Sequence, residues 1–306
     1  LELHGSMVAV SPSGKLAVAT GRVGGGADIT VYDRIVPEGR QVIATISSLD
    51  WQFFGGLAWQ DEQTLLFSEN GDLDTVLRWR LSENEAELLA PAGSVPDAAD
   101  LLSFGEAVLA VSARGPGMNR LYKVYGGNAT PILDGYGTGY AGGLGYREGL
   151  FYLGDTNDPY FQGNPGQVWL GRPLYSGGEL TGVELIEAIS LVGGGGSGIF
   201  SLVFDSEGDL LASTGRTLTL LRGYEASPFG QFEGAYPFPT SLAYFGTRFE
   251  PFEGDGILVV NGEFTRVGGL FAITPVPEPT SLLILVGGLA GLGYRLRRCS
   301  KGVCRG

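Results

Sequence analysis

The sequence predicts an all-β fold over residues 1–274, and three observations carry that prediction. Apolar runs of four to seven residues, rich in Val, Ile, Leu, Phe and Tyr, follow one another and are separated by Gly, Asn, Asp and Pro. Glycine accounts for 52 of the 306 residues without the three-residue period of collagen. A helical period is not sustained, because the best candidate, residues 82–91, is too short to build a domain.

An internal repeat divides this region into units. Residues 10–21 align without gaps on residues 204–215, and each segment holds a strand, a glycine-closed turn and a second strand. Weaker copies follow the same plan, usually with a third strand. Six units start 43 to 55 residues apart, near Gly5, Gly55, Ala99, Gly142, Ser197 and Thr240. This spacing is typical of one four-stranded blade per unit, so the sequence predicts a six-bladed β-propeller.

Two alternatives to six blades stay open. The sixth unit stops after three strands, and a propeller ring closes by borrowing the missing strand from the other end of the chain. Leu1-Glu2-Leu3 is a fragment of the right kind but is too short, so a seventh blade is one alternative. A β-sandwich or a pair of small β-domains is the other, because their strands are separated by the same turn residues.

The turn that closes the first hairpin of two units resembles a known family. Ser11-Pro12-Ser13-Gly14 and Asp205-Ser206-Glu207-Gly208 are similar to the inter-strand turns of NHL-like and lactonase-like six-bladed propellers. The resemblance implies a ring of blades around a channel. In the lactonase-like case it also implies a divalent metal held there by carboxylates and amides from several units.

Charge is distributed unevenly along the chain. Residues 280–306 hold five basic side chains and no acidic one, which leaves 15 basic and 33 acidic groups in residues 1–279, a net charge of −18. Phosphates of nucleic acids and of anionic lipids repel such a body, so the sequence predicts no nucleic-acid partner.

The C-terminal region reads as a short transmembrane helix. Residues 280–294 are uncharged and span about 22 Å as a helix, which is short of a ~30 Å hydrocarbon core. Arg295, Arg297 and Arg298 follow directly, and this basic cluster predicts a cytoplasmic C-terminus with the acidic body on the outer side of the inner membrane.

A proline-rich motif stands just before the apolar run. Pro277, Glu278 and Pro279, followed by the apolar stretch and the arginines, resemble the PEP-CTERM sorting signal of Gram-negative bacteria. The resemblance implies an exosortase, a membrane protease-transpeptidase, as partner. It also implies an exported protein that is anchored in the inner membrane as a precursor and then moves to the cell surface or outside. The two prolines favour an extended peptide that a protease can grip.

These patterns predict four segments: a propeller ectodomain over 1–274, a sorting motif over 275–279, a membrane segment over 280–294 and a basic cytoplasmic tail over 295–306. The tail continues past the arginines to Cys299 and Cys304, which departs from the family pattern. Export also leads us to expect a signal peptide, which the first residues do not resemble.

Candidate chemistry is sparse in the body. Its one histidine, His4, lies at the N-terminus, so we expect no catalytic triad and no required cofactor. Oxygen-rich loops are candidates for Ca²⁺ binding, with Asp155, Asn157 and Asp158 as ligands. The alternative is that these side chains stabilise turns and face solvent. Asp97 and Asp100 stand where the innermost strand of unit three would face the channel, and there they would bind a cation or a sugar hydroxyl.

Six aromatic residues crowd one glycine-rich stretch. They form either an exposed platform for carbohydrate or the packing between blades. They are Tyr136, Tyr140, Tyr146, Tyr152, Tyr160 and Phe161.

Three functions are therefore carried forward. The first is a binding or structural propeller that associates with exopolysaccharide or protein of the extracellular matrix. The second is a metal-dependent enzyme of lactonase or lyase type, which needs several carboxylates around the channel. The third is a surface protein that keeps its membrane anchor.

Overall fold

The structure, a computed structural model, describes most of the body of the chain. The described residues are 7–21, 25–35, 39–51, 54–113, 115–157, 164–191, 199–205, 208–214, 217–231, 239–245, 256–261 and 269–273. Within these ranges the chain forms 23 β-strands, and no described helix is long and apolar enough to cross a membrane. The all-β prediction is confirmed.

The first three sheets are antiparallel, and strands that are consecutive in the chain lie side by side. Sheet 1 contains β1 (Met7–Val10), β2 (Leu16–Gly21), β3 (Ala27–Tyr32) and β4 (Val42–Ser48). Sheet 2 contains β5 (Phe54–Asp61), β6 (Thr64–Glu69), β7 (Thr75–Arg80) and β8 (Glu87–Leu88). Sheet 3 contains β9 (Ala98–Phe104), β10 (Ala107–Ala113), β11 (Asn119–Tyr125) and β12 (Asn128–Tyr136).

The next three sheets repeat this order. Sheet 4 contains β13 (Ala141–Arg147), β14 (Leu150–Asp155), β15 (Gln167–Ser176) and β16 (Glu179–Ser190). Sheet 5 contains β17 (Ile199–Phe204), β18 (Leu210–Thr214), β19 (Thr217–Arg222) and β20 (Glu225–Gln231). Sheet 6 contains β21 (Pro239–Phe245), β22 (Gly256–Asn261) and β23 (Gly269–Ile273).

The sheets have a propeller-like arrangement. The first strand of each sheet lies beside the first strands of two other sheets, in the cyclic order β1, β5, β9, β13, β17, β21 and back to β1. Five sheets are complete four-stranded blades, whereas sheet 6 has three strands in the described residues. The predicted propeller-like arrangement of sheets is thus confirmed, and the predicted count of six blades is not confirmed.

Apolar side chains fill the spaces between neighbouring sheets. Between sheets 1 and 2, Trp51 packs edge-on against Phe67 with ring centroids 5.0 Å apart, and Ile29 and Trp79 are buried beside them. Further clusters join sheets 2 and 3, sheets 3 and 4, and sheets 4 and 5. Strands such as β6 and β10 bury side chains on both faces, which explains their nearly continuous apolar sequences, whereas the last strands of sheets 1 and 4 are largely exposed.

The repeated turn predicted from sequence forms twice with the same hydrogen bonds. The Gly14 amide donates to the Ser11 carbonyl at 2.9 Å, and the Gly208 amide donates to the Asp205 carbonyl at 3.2 Å. Both glycines have a positive φ, 93° and 96°, which side chains disfavour. Glycine is therefore required at this place in the repeat.

Several predictions fall on residues outside the described ranges. These are the strand expected at Leu1–Leu3, the metal ligand Asp158, the sorting motif, the membrane segment 280–294 and the arginine cluster.

Candidate functional site at the central channel

A cavity of about 120 Å³ lies where the first strands of the sheets meet. All six first strands contribute to its wall. The side chains that line it are mostly aliphatic, with one carboxylate and two hydroxyls, and the lining residues are Met7, Val8, Gly55, Leu57, Asp100, Leu101, Leu144, Ser201, Leu202, Ser241 and Leu242.

Three polar side chains of the wall tie one sheet to the next. The Leu144 amide donates to Asp100 Oδ2 at 2.8 Å, which joins sheet 4 to sheet 3. The Leu242 amide donates to Ser201 Oγ at 3.2 Å, and the Val8 amide donates to Ser241 Oγ at 3.1 Å. In each pair the acceptor stands one residue before an apolar residue of its own strand, and the donor is the matching apolar residue of the next sheet. We call these three contacts the wall ties.

Glycines occupy the matching position in two other sheets. A Cβ on Gly56 would lie 2.8 Å from the Leu101 nitrogen, and a Cβ on Gly143 would lie 2.6 Å from Leu202 Cγ. The neighbouring Gly55 is tighter still, because its Cβ would lie 1.5 Å from the Ala98 carbonyl oxygen. The first strands thus approach so closely at Gly55, Gly56 and Gly143 that a side chain at any of these three positions would collide with the next sheet.

Asp100 is the one carboxylate among the lining residues and is partly buried. Burial raises its pKa from 3.8 to about 7, against the opposing effect of the Leu144 and Leu101 amides that donate to it. No described basic group neutralises it. The group therefore changes its charge near neutral pH, which suits either a proton donor or a neutral hydrogen-bonding partner.

Asp97, the second predicted channel residue, lies elsewhere. It is exposed at the entry to β9 with a φ of 49°, and it is not among the residues that line the cavity. Its amide donates to Asp74 Oδ1 at 3.3 Å, and its carbonyl accepts from the Ala113 amide at 3.0 Å. The structure therefore brings Asp100 to the channel and places Asp97 in a turn.

The predicted calcium ligand Asp155 ends β14 and is fully buried. Its oxygens accept hydrogen bonds from the Thr138 and Gly139 amides, both at 3.0 Å. Burial is the main cause of its raised pKa. Asn157 accepts from the Thr138 hydroxyl at 2.8 Å. These contacts fold the loop between β12 and β13 onto β14, and the metal-binding role remains a prediction.

A second acidic loop, which follows β6 at residues 69–74, has the same construction. Glu69 ends β6, is fully buried, and accepts hydrogen bonds from the Gly71 amide at 2.8 Å and the Leu73 amide at 2.9 Å. Among the residues that the structure describes, no three His, Cys, Asp or Glu side chains come together as a metal-binding group.

The predicted aromatic group is divided between different surroundings. Tyr136 is buried, with a hydroxyl that finds no hydrogen-bond partner, and Tyr152 packs edge-on against Phe204 at 4.9 Å. Tyr140 and Tyr146 are partly buried. Tyr160 and Phe161 lie outside the described ranges. Tyr136, Tyr146 and Tyr152 thus serve packing, while two tyrosines that the sequence did not single out, Tyr125 in sheet 3 and Tyr175 in sheet 4, are exposed.

Comparison with known proteins identifies the C-terminal segment. Residues 275–298 match the family described as the PEP-CTERM protein-sorting motif. The chain carries this motif, which implies an exported protein that is anchored in the membrane before an exosortase processes it. No curated protein sequence matches the chain.

Solved structures resemble the body. A gluconolactonase from Xanthomonas campestris matches with a TM-score of 0.57 and 15% identity, over 85% of this chain and 82% of that one. Regucalcin from Agrobacterium tumefaciens, a calcium-binding protein, matches with a TM-score of 0.56 and 16% identity, over 84% and 82%. A protein of unknown function from Bacteroides thetaiotaomicron matches with a TM-score of 0.50 and 14% identity, over 84% and 70%. At these identities the likeness shows a shared propeller fold.

Proposed function

We propose that this protein is an exported, exosortase-processed β-propeller that acts as a binding protein at the cell surface or in the extracellular matrix. The observation that carries the proposal is the PEP-CTERM motif at residues 275–298, which follows the last described strand of a propeller body almost directly.

The proposed organisation keeps the four segments expected from sequence. A six-bladed ectodomain over 1–274 is supported by the cyclic order of the first strands and by the wall tie between Ser241 and Val8, which joins the two ends of the body. Residues 275–279 present the cleavage motif, and residues 280–294 hold the precursor in the inner membrane. Arg295, Arg297 and Arg298 keep the short tail in the cytoplasm.

A binding role is supported by the chemistry of the channel wall. Its described lining holds one carboxylate, and both oxygens of Asp100 already accept backbone amides. The Ser201 and Ser241 hydroxyls serve the wall ties. Ca²⁺ takes six to eight oxygen ligands, so these residues do not fit the ion that regucalcin binds.

A second candidate is a lactonase-like enzyme, because a gluconolactonase shares the fold and Asp100 has a pKa near 7 inside a cavity. Gluconolactone hydrolysis by the purified protein, measured with and without added Ca²⁺ and Zn²⁺, tests it. Turnover that disappears in Asp100→Asn supports the enzyme, and hydrolysis no faster than the buffer blank rejects it for that substrate.

Intact-mass spectrometry of the protein from its native cells tests the main proposal. We expect a mass that ends near Pro279, and loss of this cleavage when Pro277 and Pro279 are replaced by alanine. A control with Pro173→Ala, inside β15, leaves the motif intact and keeps the cleavage. A wild-type mass that retains Arg295 to Gly306 contradicts the proposal and indicates a permanent membrane anchor.

A further inference from the structure

An aromatic surface extends from the first to the outer strands where sheets 3 and 4 meet, and the function proposed above does not use it. Three exposed or partly exposed tyrosines and their immediate neighbours form it. We call it the tyrosine surface, and it consists of Phe104, Lys123, Tyr125, Tyr146, Tyr175 and Glu179.

The β15–β16 hairpin forms one side of this surface. These strands are 10 and 12 residues long, and the hairpin contacts β12 of sheet 3. Leu180 is buried in the core between sheets 3 and 4, and its carbonyl accepts a hydrogen bond from Lys123 Nζ at 3.1 Å. Lys123 also pairs with Glu179 at 3.6 Å. The end of the hairpin is thus fixed onto β11.

Tyr175 stands on this hairpin with 54% of its surface exposed. Burial and then the neighbouring Tyr146 raise the pKa of Tyr175, and the Tyr146 ring meets Phe104 edge-on with centroids 4.9 Å apart at an angle of 90°. Tyr146 also packs against the buried Phe151 at 4.9 Å. Tyr175 therefore lies next to a tyrosine whose own ring packs against the core.

Tyr125 faces the hairpin from sheet 3 with 49% of its surface exposed. Its hydroxyl donates to Glu106 Oε2 at 3.2 Å, and its ring centroid lies 5.7 Å from Lys123 Nζ. Lys123 contacts both Tyr125 and Glu179, and Glu179 is paired with Ser176, the residue next to Tyr175. The two exposed tyrosines therefore belong to one continuous surface.

The chemistry of this surface selects one kind of ligand. A rigid tyrosine offers a flat apolar ring and a polar edge at a small cost in conformational entropy, which matches the apolar face and the hydroxyls of a sugar ring. Lys123 is paired with a carboxylate, and the body carries a net charge of −18, so an acidic polymer is repelled. We propose that the tyrosine surface binds a neutral polysaccharide. The inference rests on the proposed function, because export brings this surface into contact with such polymers.

Affinity electrophoresis of the processed protein from native cells tests the inference. Gels contain hydroxyethyl cellulose or dextran as neutral probes and alginate as an acidic probe. We expect a neutral polymer to retard the wild-type protein, and the double variant Tyr125→Ala/Tyr175→Ala to bind about tenfold more weakly, as two lost ring contacts imply. Tyr125→Phe keeps the ring and should keep most of the affinity.

The matched control is Tyr224→Ala, which removes a tyrosine of 66% exposure from the turn after β19 in sheet 5. Its affinity should equal that of the wild type. The inference is overturned if neither neutral polymer retards the wild type, if alginate alone does so, or if Tyr224→Ala loses as much affinity as the double variant. Intact mass on the same preparations reports cleavage separately, so a failure of the proposed function is distinguished from a failure of the ligand.

Discussion

The wall of the channel and the tyrosine surface are built from the same sheets but differ in what their side chains are free to do. At the wall, Asp100, Ser201 and Ser241 are occupied by amides of the next sheet, and Gly55 leaves no room for a methyl group. At the outer surface, Tyr175 exposes half of its area while its backbone remains paired in β15.

The difference follows from the geometry of a ring of sheets. First strands converge on one axis, so their side chains compete for space and serve closure, whereas outer strands diverge. Substitutions at the wall should therefore change stability, and substitutions at the tyrosine surface should change binding.

The largest effect is expected at Gly55. Valine there would place a Cβ 1.5 Å from the Ala98 carbonyl oxygen, so β5 and β9 must separate. We expect a loss above about 4 kcal/mol, enough to remove most of the folded protein. Circular dichroism and soluble yield measure it. The control is Gly115→Ala, where the nearest atom lies at 3.7 Å; equal behaviour of the two variants contradicts the close packing of the wall.

Asp100 should make stability depend on pH. Its pKa is about 7 in the folded state and 3.8 ordinarily, so between these values the folded state binds a proton that the unfolded state releases. The contribution of Asp100 to the free energy of unfolding is therefore greatest below pH 3.8. It falls as pH rises through 7, by up to about 4 kcal/mol.

Urea unfolding at pH 4.5, 6 and 8 measures this effect as the difference between the wild type and Asp100→Asn, which keeps an acceptor for the Leu144 amide. We expect the variant to gain relative stability as pH rises. The control Asp134→Asn, at a side chain that is 66% exposed, should show little such trend. Parallel curves for wild type and Asp100→Asn rule out the shifted titration.

Removal of the Asp155 side chain should lower the free energy of unfolding by about half as much as the Asp100 effect. Asp155→Ala leaves the buried Gly139 amide and the partly buried hydrogen bond of the Thr138 amide without their acceptor, which costs about 2–3 kcal/mol. Asp134→Ala removes only an exposed pair with Arg120 and should cost under about 1 kcal/mol. Guanidinium unfolding compares them, and equal losses contradict the assignment of Asp155 to loop folding.

The smallest effect concerns the wall ties of the two serines. Ser241→Ala and Ser201→Ala each remove one acceptor, for about 1 kcal/mol. Hydrogen exchange should quicken at Val8 in the first variant and at Leu242 in the second. Faster exchange at both amides in either variant contradicts independent ties and indicates that the ring opens as one unit.

The sequence predicted the strands and their grouping well, because turn residues and period are local signals. The predicted unit starts Gly55, Ala99 and Gly142 each lie within one residue of the start of a first strand. The aligned turns at Ser11 and Asp205 form the same hydrogen bonds.

The sequence predicted the site less well, because a site depends on which strands converge. Asp97 and Asp100 are three residues apart, yet one enters a turn and the other reaches the cavity. Tyr125 and Tyr175 are 50 positions apart in the sequence. No local pattern therefore indicates that Lys123, which lies over the Tyr125 ring, also pairs with Glu179 on the hairpin that carries Tyr175.

The position of the last strand has a consequence for the processing that the sorting motif implies. β23 ends at Ile273, and the sorting motif begins at residue 275. The five steps from Ile273 to Glu278 reach at most about 18 Å even when fully extended. Three spacings between neighbouring strands add up to about 14 Å, so this reach is comparable to the width of one blade. We therefore expect an exosortase that processes the motif to work close to sheet 6. If the proposed function holds, we expect the rate of cleavage to depend on how completely sheet 6 is folded.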